Sequence, residues 1–80
     1  MTRTVITIGA FPSMPGRFYY TLKVDGVQKS TGRDAGNDPA AAAAKAIELA
    51  GSWVGTYQIF APAKVLAYIP EEIRSGVTKP

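Results

Sequence analysis

The run Asp38-Pro39-Ala40-Ala41-Ala42-Ala43-Ala44 limits the possible folds of this chain more than any other stretch. Asp38 can cap the first free amides with its carboxylate, and Pro39 at the first helical position loses nothing by lacking an N–H. The alanines that follow have the best intrinsic helix propensity. A helix is therefore predicted from Pro39 through Ala50, ending at Gly51 or Gly55. Ala43, Ala46, Ile47 and Ala50, with Trp53, make its apolar stripe, and Lys45, Glu48 and Ser52 lie opposite. Small side chains on that stripe let the helix sit close on a sheet, with Ile47, Leu49 and Trp53 filling the margins.

The sequence on either side supplies the sheet. Thr4 to Phe11 is rich in β-branched residues and reads as a strand, and Pro12-Ser13-Met14-Pro15-Gly16 breaks it. From Arg17 to Asp25 the pattern alternates, placing Phe18, Tyr20, Leu22 and Val24 on a core face and Tyr19, Thr21 and Lys23 on the other. Asp25-Gly26 is a hairpin signal, since the turn needs positive φ, so Val27 to Thr31 returns antiparallel. Gly32 to Asn37 reads as a turn-rich connection. After the helix, Tyr57 to Ala61 and Lys64 to Ile69 read as a second hairpin joined by Pro62-Ala63. Pro70 to Arg74 reads as a short terminal helix and Ser75 to Pro80 as a flexible tail. The expected architecture is α+β: an antiparallel sheet of β-β-β-α-β-β order with one main helix on one face and a short C-terminal helix, residues 1–80 forming a single domain.

Composition agrees with a packed domain. The 80 residues are 46% hydrophobic and only 19% charged, unlike a disordered chain. No apolar run approaches the roughly 20 residues of a spanning helix, and the N-terminus lacks a signal-peptide core, so neither membrane insertion nor export is expected. The net charge of +3 is spread from Arg3 to Lys79 without a cluster. That permits nucleic-acid contact and argues against an acidic DNA mimic.

Chemistry is poorly provided for. The chain has no histidine and no cysteine, which removes the usual base near neutral pH and the soft metal ligands. Asp34 and Asp38 could share a hard cation, but turn and cap roles explain them better. Glu71 and Glu72 suit the positive end of a helix dipole. Gly32 to Gly36 with Arg33 before a helix suggests an anion site, yet the lysine of a phosphate loop is missing and Asp38 competes for the same amides. No catalytic residue, cofactor, metal or small-molecule ligand is expected.

One helix covers only one face of a sheet. The other face, expected to carry Tyr19, Thr21 and Lys23 with Leu66 and Tyr68, is left for solvent, a second copy or a partner. Tyr19, Lys23, Arg33, Lys64 and Tyr68 are the candidate partner-binding residues, because aromatic and basic side chains anchor protein interfaces. The same mixture can stack single-stranded bases, so a nucleic-acid-binding module is the alternative.

Several segments together resemble a known family. Asp25-Gly26, Gly32-Arg33, the run Gly36-Asn37-Asp38-Pro39-Ala40-Ala41-Ala42-Ala43-Ala44-Lys45-Ala46, and Lys64-Val65-Leu66-Ala67-Tyr68-Ile69-Pro70-Glu71-Glu72-Ile73-Arg74 are similar to the phage-encoded anti-CRISPR proteins that form the fifth-numbered inhibitor family of the type I-F system. The likeness runs from about the second strand to Arg74 and is weaker before it. It implies a non-enzymatic inhibitor acting in the host bacterial cytoplasm on the crRNA-guided surveillance complex. Members of the wider group either block target DNA binding, often by acidic mimicry, or prevent recruitment of the helicase-nuclease. The charge of +3 favours the second route.

Overall fold

In the computed structural model, which describes residues 2–78, the helix starts where the cap and the proline place it. Asp38 Oδ1 accepts a hydrogen bond from Ala41 N at 2.7 Å, Pro39 opens the helix, and α1 runs Pro39–Ala50 to a cap at Gly51. Ahead of it come β1 (Thr2–Ala10), β2 (Phe18–Val24) and β3 (Val27–Gly36). After it come β4 (Gly55–Phe60), the short α2 (Ala63–Leu66), a 3₁₀ turn at Glu71–Ile73 and β5 (Ser75–Thr78). The strands form one five-stranded sheet in the order β3-β2-β1-β4-β5. The fold is thus α+β, with the main helix packed on the sheet.

The hairpin is as expected. Asp25 and Gly26 both take positive φ, 53° and 80°, the geometry that matches the twist of the flanking strands. The β2 alternation also holds: Phe18, Leu22 and Val24 are buried and Tyr20 packs against them. Ile6, Ile8 and Ile59 join them from the neighbouring strands, and Ala42, Ala43, Ala46 and Ala50 of α1 close over the sheet. Ile47 was expected on the inner stripe but is 39% exposed, while Ala42 is fully buried. The helix is rotated so that its smallest side chains meet the sheet, which allows the closest approach.

Four expectations are corrected. The sheet is mixed and not antiparallel throughout: β4 lies parallel to β1, because α1 carries the chain back across the sheet before β4 begins. Only glycine fits at that junction. Gly55 has φ of 141°, and a Cβ there would run into the Thr2 backbone.

The turn-rich stretch Gly32 to Gly36 is strand, the continuation of β3, which follows β2 through three register irregularities. Extra residues absorbed as bulges keep such a strand paired despite its glycines. Lys64 to Ile69 is not a strand but α2 and its following turn. Val65 and Ile69, four residues apart, share one face in either conformation, and both are buried. The helical form is favoured because Arg74 reaches the last carbonyl of α2 and one in the turn after it, Nη2 donating to Leu66 O at 2.9 Å and Nε to Ile69 O at 3.1 Å. Finally, Ser75 to Thr78 is no loose tail but β5, antiparallel to β4; the Lys79 and Pro80 part of that expectation lies outside the described residues. No helix among the described residues is long and apolar enough to cross a membrane.

Candidate interaction surface

Side chains that alternate with the core residues point away from α1. On β1 these are Arg3, Val5, Thr7 and Gly9; on β2, Tyr19, Thr21 and Lys23; on β4, Thr56, Gln58 and Phe60. The register sets them in rows. Val5 lies between Lys23 and Gln58, Thr7 between Thr21 and Phe60, and Gly9 beside Tyr19. No described element covers this face.

Tyr19 is held in place. Its ring occupies the space that a side chain at position 9 would need, and it packs on Phe11 with centroids 5.1 Å apart and planes tilted by 59°. It is therefore a half-buried, oriented aromatic and not a free one. Lys23, two residues along the same face, is exposed. At the β1 end, Asp25 Oδ1 accepts from Arg3 N at 2.9 Å and Asp25 N donates to Arg3 O at 2.8 Å, which ties the hairpin to β1.

The structure does not bring the five candidate residues together. Tyr19 and Lys23 share the open face. Arg33 is paired in register with Tyr20 and so belongs to the helix-covered side of the β3 edge. Lys64, at the start of α2, holds its Nζ 5.5 Å from the centroid of Phe18, a core residue. Tyr68, 57% exposed, follows α2 between buried Val65 and Ile69. Lys64 and Tyr68 thus belong to the α2 segment and not to the open face, and Leu66 packs against the core. The expectation placed Leu66 and Tyr68 on the open face because it took Lys64 to Ile69 for a strand.

The sequence reading also missed two residues. Phe60, 48% exposed, and Arg3 lie on the open face beside the row of Val5 and Thr7. The signal was there for Phe60: it alternates with buried Ile59 in a segment already read as strand.

Asp34 and Asp38 have structural roles. Asp34 Oδ1 accepts from Gly36 N at 3.1 Å, and Oδ2 meets Arg17 Nη2 at 3.1 Å. The Gly36 amide first, and then Arg17, hold its carboxyl below the usual carboxylate value. Asp38 is occupied by the cap. No group of three or more potential metal ligands occurs among the described residues. Gly32 to Gly36, the suggested anion loop, is strand. Compared with protein-family models and with curated proteins, the sequence matches none.

Proposed function

We propose that this chain is a non-enzymatic inhibitor that binds the type I-F crRNA-guided surveillance complex in the host bacterial cytoplasm and prevents recruitment of the helicase-nuclease. The identity of the target rests on the family resemblance of the residues quoted above. The observation that carries the mode of action is the uncovered sheet face, where Tyr19, Lys23, Arg3 and Phe60 stand on paired strands. A small domain of this kind masks a docking surface by burying only about 800 Å² per partner. Oriented aromatic and basic side chains are the usual anchors of such a contact.

Tyr19 and Lys23 carry the contact in this reading, with Arg33 reached at the sheet edge. Lys64 and Tyr68 take part only where the partner extends around to the α2 segment. The absence of histidine and cysteine from the sequence supports occlusion over chemistry. The positive net charge supports blocking a protein docking surface over imitating DNA.

The test is a pull-down of the purified chain on the surveillance complex with and without bound target DNA, followed by addition of the helicase-nuclease. Binding with loss of recruitment is the expected result. Absence of binding in both states removes the proposal. A second reading, single-stranded nucleic-acid binding, is favoured by the presence of Phe60 and Tyr19 with Arg3 and Lys23 on one face. It predicts affinity for an oligonucleotide that falls steeply with salt.

A further inference from the structure

The two edges of the sheet are built differently. At one edge, β3 breaks register three times against β2 and carries Lys29, Arg33 and Asp34, features that keep an edge from pairing with stray strands. At the other, β5 is Ser75-Gly76-Val77-Thr78, with no charge, no proline and regular pairing to β4.

The pairing shows which backbone groups β5 leaves free. Ile59 N donates to Arg74 O at 2.8 Å, so the Arg74 carbonyl points toward β4. Backbone polar groups alternate sides along an antiparallel strand. Gly76 and Thr78 therefore also face β4, and Ser75 and Val77 turn their N–H and C=O outward, where no described strand lies. The edge is fixed in place: Thr78 Oγ1 donates to Ala50 O at the end of α1 at 2.8 Å.

Beside this edge, between α1 and β5, is a cleft of about 220 Å³ whose walls include Ile47, Tyr57, Ile73 and Val77. Val77, 52% exposed, is in register with Thr56 and so turns its side chain to the open face, bordering the cleft from the strand itself. Because Gly76 has no side chain, the Tyr57 ring lies over it toward the edge; a Cβ there would stand 3.2 Å from Tyr57 Oη.

We propose that the β5 edge is a strand-addition site for an extended, uncharged segment of a partner protein bearing a Val, Ile or Leu side chain that enters this cleft. The incoming strand takes the free groups of Ser75 and Val77, and its residue opposite Gly76 points to the helix side. A second copy of the chain is the poorer occupant. Antiparallel pairing of β5 with itself through Ser75 and Val77 sets Gly76 against Gly76 and leaves the cleft empty. The site shares no residue with Tyr19 and Lys23, and it stands whether or not the chain binds the surveillance complex.

The experiment is an NMR titration of the full chain with the capped peptide acetyl-Thr-Thr-Leu-Thr-Thr-amide, and with the same peptide carrying Gly in place of Leu. Saturable shifts at the amides of Ser75 to Thr78, Ile47 and Ile73 are expected, with slowed hydrogen exchange at Ser75 and Val77. Replacing Leu by Gly should weaken binding roughly tenfold. Val77→Pro removes an outward donor and no bond to β4, and should weaken binding by a similar factor. Ile47→Asp charges the cleft wall at a partly exposed position and should do the same, so it keeps the test open if the proline variant does not fold. Absence of saturation, shifts on the open face instead, or equal binding of the Gly peptide overturns the proposal. So does a concentration-dependent dimer that protects Ser75 and Val77 without peptide, which assigns the edge to a second copy.

Discussion

Tyr19 and Gly9 face each other across β1 and β2, and the tyrosine ring fills the volume above the glycine. The orientation of the principal aromatic on the open face therefore depends on a missing side chain on the neighbouring strand. The atoms that a new side chain would meet are the far end of the ring, which can swing aside.

Gly9→Val should for that reason change stability by less than about 1 kcal/mol, since a strand favours valine and the ring can give way. It should nevertheless break the Phe11 contact and weaken partner binding. Denaturant unfolding and the pull-down, measured on the same variant, separate the two effects; a large stability loss would mean that the ring is locked.

The open face and the α2 segment predict separable behaviour. The pair Tyr19→Ser with Lys23→Ala should weaken binding by roughly tenfold or more, as interface anchors do, while Lys64→Ala with Tyr68→Ser should leave it nearly unchanged. The reverse result would move the interface to the α2 segment.

Asp38→Ala removes the side-chain acceptor that caps α1 at Ala41 N and should lower stability by about 1 kcal/mol, with Asp38→Ser restoring most of it. Equal unfolding midpoints for all three proteins would show that the cap contributes nothing.

Arg74 acts at the other end of the fold. Arg74→Met keeps much of the stem but takes the guanidinium from the Ile69 carbonyl and leaves the Leu66 carbonyl with the Ile69 amide alone. The expected loss is about 1–3 kcal/mol. Thermal unfolding measures it, and a loss of slow-exchanging amides confined to α2 and β5 would locate it.

The pH response of Asp34 has a defined sign. Its folded-state pKa lies below the ordinary value of 3.8, so its contribution is present above that value and is lost as pH falls through the depressed folded-state pKa. The carboxylate is exposed, and the effect is small. In Arg17→Ala the carboxyl titration followed by NMR should move only part of the way back, because the Gly36 amide is the larger cause. A full return to the ordinary value would reverse that order.

Much of the fold was legible where the chain decides its own conformation. Asp25-Gly26 needs positive φ whatever surrounds it. Asp38-Pro39 can begin a helix without help, and the alternation from Phe18 to Val24 selects one inner face. Tyr19 and Lys23 on the outer face follow from the same alternation, so that half of the candidate surface was readable too.

The remainder was decided by contacts between distant segments. Val65 and Ile69 fit a strand or a helix equally well by spacing, and the choice depends on Arg74 reaching back to two carbonyls. Ser75 to Thr78 carries no apolar pattern of its own and becomes strand only because β4 offers a free edge. Gly32 to Gly36 reads as turns until β2 lies beside it to absorb the bulges. The separation of Lys64 and Tyr68 from Tyr19 and Lys23 follows from those same long-range contacts. Local sequence fixes torsions, whereas the partner of each hydrogen-bonding edge is chosen by the packed whole.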